Sequence, residues 1–251
     1  MARIIWDVEL KVGGAIKVEN AFSMRQAKGF DPDDQFYSDV FIKNGSNGLI
    51  ASITAYAPNS EIAYKAALYF FGNMVDVLCF KIDIPLYLYY YNAMNTNKVD
   101  YTTKRILNRE IFEESFRIAR EFSMDVTKST VMRALGWYRK GLVSNDPIDK
   151  FLSLWNVIES LAAKFHTDTD RTRNGAINQI YQCFLDYIGR EETWGLEGRW
   201  INNMHELRSQ LAHGGRTIDV DTIGEVSTYN VTLKNQANLL IQKIYDSLLT
   251  D

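Results

Sequence analysis

The chain has three histidines, His166, His205 and His213, and histidine is the side chain whose ordinary pKa places proton transfer near neutrality. His213 lies five positions after Arg208, in Glu206-Leu207-Arg208-Ser209-Gln210-Leu211-Ala212-His213-Gly214-Gly215. An imidazole moves protons. A guanidinium presents a permanent cation in a fixed fork, which suits charge accumulating on a phosphorane-like transition state better than an ammonium does. One reaction needs little more than this pair. RNA is cleaved when its own 2′-hydroxyl attacks the adjacent phosphate, without a metal or a covalent enzyme intermediate, leaving a 2′,3′-cyclic phosphate and a 5′-hydroxyl. The sequence offers no metal-ligand cluster, no phosphate-cradling glycine loop and no nucleotidyltransferase-like carboxylate pair, so no metal or cofactor is expected.

Each candidate has a plainer reading beside it. His213 is also what a helix C-terminus favours, because the macrodipole attracts a partial positive charge there. His205 sits one turn before Arg208 and extends a phosphate-binding surface, or is merely a half-exposed helix residue. Arg171 and Arg173 form a small basic cluster that suits an RNA backbone, yet Asp168 and Asp170 flank them as in any solvated loop. Arg139 and Lys140 are read the same way, and His166 as a loop residue after a helix. Tyr87, Tyr89, Tyr90 and Tyr91 suggest a base-stacking platform, although tyrosine-rich strands more commonly only pack a sheet.

The elements that would position these residues are helical from about Asn108 onward. Phe112, Phe116, Ala119 and Phe122 form one apolar stripe, and Val131, Leu135, Tyr138 and Leu142 the next. Asp146-Pro147 reads as an N-cap followed by the first helical residue. The following helix keeps Phe151, Leu154, Trp155, Ile158, Leu161, Ala162 and Phe165 on one face. Glu159 falls at the border of that face, where it can orient Arg208 or simply brace two helices. Ile177, Ile180, Tyr181, Phe184 and Ile188 make a further stripe, Trp200, Met204, Leu207 and Leu211 another, and Leu233, Ala237, Leu240, Ile241, Ile244 and Leu248 the last. Gly214-Gly215 stops the helix that carries Arg208.

Spacing poses a difficulty. On a continuous helix five positions separate Arg208 and His213 by about 140° and roughly 7.5 Å, which is poor for gripping one phosphate. The two glycines allow the chain to leave helical geometry, and a dimer could pair the motifs of two protomers across a twofold cleft.

Beyond Arg208 and His213, Trp137-Tyr138-Arg139-Lys140-Gly141-Leu142 and Asp149-Lys150-Phe151-Leu152-Ser153-Leu154-Trp155-Asn156-Val157-Ile158-Glu159-Ser160-Leu161 occur upstream in matching order. From Trp137 onward the chain resembles the HEPN superfamily, in particular its ApeA-like branch, and is similar to the methylamine-utilisation protein J family. The resemblance implies a helical bundle, a metal-independent endoribonuclease with Arg208 and His213 as catalytic residues, Ser209 in the polar slot after the arginine, and Glu159 as the acidic residue orienting the guanidinium. It implies RNA as substrate, a homodimer, and a prokaryotic antiviral-defence or toxin effector with an antitoxin or activating protein as a possible partner. The alternative is a catalytically silent HEPN module that dimerises or binds another protein.

The first hundred residues read differently. Phe36–Ile42 and Leu49–Tyr56 look like strands joined by Asn44-Gly45-Ser46-Asn47-Gly48. Ala63, Ala67, Phe70, Met74 and Val77 then follow a helical period, and Leu86–Tyr91 returns to a short strand. The expected architecture is a small α+β domain of unknown role at 1–105, followed by an all-α bundle at 106–251.

Composition excludes several classes. Of 251 residues, 46% are hydrophobic and 24% charged, a globular balance rather than a disordered one. A net charge of −3 argues against a protein that coats nucleic acid by bulk electrostatics, so any RNA contact must be local. Two isolated cysteines, Cys79 and Cys183, do not make a disulfide scaffold and suit a reducing compartment. Charge interrupts the N-terminus early, and Lys65, Asn73 and Asp76 interrupt the apolar run Ile62–Phe80. A cytoplasmic protein without a membrane span is therefore expected.

Overall fold

Strict alternation builds the first sheet. In β1 (Ile4–Gly13), Val8, Leu10 and Val12 are buried while Ile5, Asp7 and Lys11 face out. After β2 (Ile16–Val18) come β3 (Phe22–Ala27), β4 (Tyr37–Gly45) and β5 (Gly48–Ala57); β5 buries Leu49, Ala51, Ile53, Ala55 and Ala57 in the same period of two. The computed structural model describes residues 4–27, 37–89 and 103–250, so Phe36, Tyr90 and Tyr91 lie outside the described residues. The chain forms two compact units, Met1–Met124 and Asp125–Asp251.

In the first unit, five strands pair antiparallel in the order β3-β4-β5-β1-β6, with β6 at Tyr87–Tyr89. The expected hairpin is present and turns at Ser46-Asn47. Gly48 is required there: at φ 139° its backbone passes so close to β1 that a Cβ would sit 2.1 Å from the Val12 carbonyl. A second, parallel pair joins β2 to β7 (Arg105–Leu107). The Asn44 side chain connects the two sheets, accepting from the Val18 N–H and donating to the Val18 carbonyl, both at 2.8 Å.

One helix, α1 (Ser60–Ile82), covers the buried sheet face, and all five residues of its expected stripe are buried. Asn59 caps it by accepting the Ile62 N–H at 2.9 Å, and Asp83 ends it in the left-handed region at φ 51°. Among the described residues α1 alone is long and apolar enough to cross a membrane by length and composition. It buries much of that apolar surface inside the first unit. Then α2 (Arg109–Met124) stacks on it, with Phe116 and Phe70 at 5.0 Å between ring centroids and Phe112 5.6 Å from Phe22. The stripe of α2, which in sequence reads as the opening of the bundle, therefore completes the first unit.

The second unit is helical, with no strand among its described residues: α3 (Ser129–Val143), α4 (Pro147–Phe165), α5 (Ala176–Tyr187), α6 (Trp200–Ala212) and α7 (Val220–Thr250). Helix α4 lies at the centre and touches all four others. It starts where Asp146 accepts the N–H groups of Ile148 and Asp149 at 2.8 and 3.0 Å, with Pro147 in its first turn, as the sequence requires. Phe151, Leu154, Trp155, Ile158 and Leu161 are fully buried, each worth roughly 1.5–3 kcal/mol of apolar burial. Gly141 allows α3 to approach: a Cβ there would lie 2.8 Å from Leu154 Cδ2, so even alanine would displace a core side chain.

Candidate functional site

Two of the sequence-derived residues, Arg208 and Glu159, meet at the seam between α4 and α6. Helix α6 buries Trp200, Ile201, Met204, Leu207 and Leu211, so Arg208 falls at the edge of the buried stripe. On α4, Glu159 follows the buried Trp155 by one turn and occupies the matching edge. Arg208 Nη2 and Glu159 Oε2 are 3.3 Å apart, with side chains 28% and 25% exposed. The guanidinium is thus partly withdrawn from water and oriented by a carboxylate, while retaining an open side.

One turn earlier the same seam carries a second rung. The His205 ring stands edge-on to Trp155 at 6.3 Å between centroids, and the Trp200 ring also lies 6.3 Å from Trp155. Trp155 precedes Glu159 by four positions and His205 precedes Arg208 by three, so α4 and α6 run in the same direction here. The Trp155 indole N–H is buried and has no hydrogen-bond partner among the described residues. The His205–Trp155 contact itself was not legible in the sequence, which marks Trp155 as core and His205 either as an extension of a phosphate-binding surface or as a half-exposed helix residue.

Beyond Arg208 the helix closes in a glycine cap. His213 is the C-cap residue, Gly214 takes φ 68°, and the Gly215 N–H reaches back to the Gln210 carbonyl at 2.9 Å, the long bond of a Schellman motif. The His213 N–H still donates to the Ser209 carbonyl at 3.1 Å. Its Cα therefore remains on the helical path, and the departure begins only at Gly214. At ~100° per residue, Arg208 and His213 stay about 140° apart, with His205 and Ser209 on the arc between them. His213 is exposed, and Ser209 and His205 are half-buried. The glycines end the helix without turning His213 toward Arg208.

The other candidates lie elsewhere in this unit. The Arg171 guanidinium sits over the Tyr181 ring at 5.6 Å, and Tyr181 donates its hydroxyl to Glu191 at 2.7 Å, which raises the phenol above its ordinary pKa. Arg173 pairs with Asp170 at 3.2 Å in full solvent. His166 caps α4, one ring nitrogen 2.7 Å from the Ala162 carbonyl and the other 3.2 Å from Asp168. Lys140 rests 4.2 Å over the Trp137 ring. These groups make local contacts. A cleft of about 120 Å³, lined by Tyr181, Trp194, Trp200 and Glu197 among others, opens at the N-terminal end of α6, roughly 12 Å along the axis from Arg208. Among the described residues no group of three or more His, Cys, Asp or Glu side chains is placed to hold a metal.

Residues 134–226 match the family model of methylamine utilization protein MauJ. The MauJ match runs from α3 into α7 and includes Glu159, His205, Arg208, Ser209 and His213. The first unit lies outside it. No curated protein and no solved structure matches the chain.

Proposed function

We propose that the chain is a metal-independent endoribonuclease of the HEPN type, acting on RNA in the cytoplasm as an antiviral-defence or toxin effector. The observation that carries this reading is the Arg208–Glu159 pair at 3.3 Å, which presents an oriented guanidinium on the same helix as an exposed His213. In the proposed reaction His213 moves the proton between the 2′-hydroxyl and the leaving 5′-oxygen, and Arg208 stabilises the charge on the phosphate oxygens. Glu159 fixes the guanidinium, and Ser209 and His205 line the surface between the two catalytic residues. Arg171 and Arg173, engaged with Tyr181 and Asp170, are at most peripheral to bound RNA.

The arc of about 140° between Arg208 and His213 has a consequence for assembly. One protomer does not aim both groups at one phosphate, so the proposed enzyme is a homodimer in which the two motifs meet across a twofold groove. An antitoxin or activating protein would bind that groove. The same arc favours a second reading, a silent module whose Arg208–Glu159 pair only braces α4 against α6.

Incubating the purified protein with labelled single-stranded RNA in EDTA separates the two. Cleavage to a cyclic phosphate, lost by about a hundred- to ten-thousand-fold in His213→Ala and severely reduced in Arg208→Lys, is expected for the enzyme. Metal-dependent cleavage, or cleavage unchanged in His213→Ala, would refute it. A monomer at micromolar concentration with full activity would refute the shared groove.

A further inference from the structure

The face of the five-stranded sheet opposite α1 carries a pattern that the proposed site does not use. Across four strands, Lys43 of β4 pairs in register with Ile50 of β5, Ile50 with Lys11 of β1, and Lys11 with Tyr89 of β6. All four point away from the helix, because the residues alternating with them, such as Ile42, Leu49 and Val12, are buried. The next row toward the hairpin is Gly45, Gly48, Gly13 and Tyr87. Three adjoining glycines leave bare backbone where side chains would otherwise stand.

The tyrosines use that bare backbone. A Cβ on Gly13 would lie 2.4 Å from Tyr89 Cε2 and 2.9 Å from its hydroxyl, so the ring leans across β1 instead of standing off the sheet. The Tyr87 ring is nearly parallel to it, at 17° and 6.2 Å between centroids. Lys11 is exposed and Lys43 half-exposed, and neither has a carboxylate partner among the described residues. They stand two strands apart, roughly 10 Å. Lys104 adds a third cation at the turn, where its ammonium donates to the Ser46 carbonyl at 3.3 Å. The carboxylates of this face, Glu9, Asp7 and Asp39, occupy rows farther from the hairpin, and Asp39 is already paired with Arg25 at 3.0 Å.

Flat aromatic rings beside unpaired lysines on an open surface fit a ligand that stacks planar groups and carries a charge on each repeat. A small molecule would instead need a concave, enclosing pocket. We infer that the hairpin end of this sheet, with Tyr87 and Tyr89 as stacking faces and Lys11 and Lys43 as phosphate contacts, binds single-stranded RNA. The choice of RNA over other single strands rests on the proposed activity of the second unit; the surface itself does not. A local patch of this kind reconciles RNA binding with a net charge of −3.

The test is fluorescence anisotropy with a labelled single-stranded RNA, titrated with the full chain carrying His213→Ala so that cleavage does not interfere. Tyr89→Ala should weaken binding about ten-fold, whereas Tyr89→Phe, which keeps the ring, should bind as the parent does. Lys11→Gln with Lys43→Gln should weaken binding and flatten the plot of log affinity against log salt by about 1.4, or about 0.7 per lysine. A duplex of the same sequence should bind more weakly, since its bases are not free to stack. Parent-like affinity and salt slope in the double lysine variant, which changes only surface groups, would overturn the assignment. So would equal binding of duplex and single strand, or a change in oligomeric state in place of RNA binding. Cleavage plays no part in this readout. Binding through the sheet with no nuclease activity would remove the proposed function and leave this inference standing, and cleavage with all variants binding like the parent would do the reverse.

Discussion

Replacing Glu159 by glutamine removes a charge while retaining the side chain's shape and one acceptor oxygen, so it isolates what the carboxylate does for Arg208. At 3.3 Å the bare attraction is about 1.3 kcal/mol in water and about 5 kcal/mol at an effective dielectric near 20. Both side chains retain about a quarter of their exposure, so solvent screens the pair, and desolvation offsets part of what remains. We expect a net coupling of about 1 kcal/mol from a double-mutant cycle of Glu159→Gln and Arg208→Gln. Urea unfolding followed by tryptophan fluorescence is the appropriate assay, because four of the five tryptophans, Trp137, Trp155, Trp194 and Trp200, lie in the second unit. If Glu159 is a positioning residue, Glu159→Gln should also lower kcat on RNA about ten- to hundred-fold by freeing the guanidinium, with a smaller effect on KM. A coupling within about 0.2 kcal/mol of zero would refute the claim that the carboxylate holds Arg208. A normal coupling with kcat unchanged would make the pair a brace and nothing more.

Other features give shorter tests. Gly214→Ala places a Cβ at φ 68° and should destabilise the second unit by about 1 kcal/mol, read as a lower urea midpoint; unchanged stability would show that the cap relaxes freely. Burial pushes the Cys183 thiol up to about 12, with Asp186 adding to the effect, so it should resist alkylation at pH 8 until urea unfolds the unit. Rapid labelling of the folded protein would contradict that burial. Asp219 accepts the Thr222 N–H at 2.8 Å at the start of α7, and this backbone bond helps hold its carboxyl below the usual carboxylate range. A lowered folded-state pKa stabilises above the unfolded value and is lost as pH falls through the folded one. The helix start should therefore loosen only below the ordinary carboxylate range, and Asp219→Asn should remove that dependence in circular dichroism. His205→Ala should reduce cleavage far less than His213→Ala, since its ring packs on Trp155; equal losses would assign it a proton-transfer role.

Much of the fold was legible because burial imposes its period on the sequence. The α1 stripe, the Asp146-Pro147 start of α4 and the Asn44–Gly48 hairpin could be read directly, since each depends on residues within a turn or two. The strands β1 to β3 were passed over, although Val8, Leu10 and Val12 alternate as plainly as β5 does; the charged residues between them conceal a half-buried strand from any search for apolar runs. The partner of α2 was not legible: Phe112 and Phe116 announce a buried face but not that Phe22 and Phe70 cover it. At the site, Arg208 and Glu159 could be matched because both sit at the edge of an apolar stripe. The contact of His205 with Trp155 depends on the relative direction of α4 and α6, which no local pattern encodes. Likewise the tyrosines of β6 gain their meaning from glycines three strands wide, visible only once the register is known.

The amide of Asn44 has a consequence for the order of assembly. By both accepting from and donating to Val18, it imitates one residue of a neighbouring strand, so the short β2 is joined to β4 by a side chain. Its parallel partner β7 lies roughly 90 residues away along the chain, and three register pairs repay little of the entropy of closing so long a loop. The pair should therefore form late, on a template that the local β4–β5 hairpin has already set. An aspartate at position 44 could accept but not donate, leaving the template half-built.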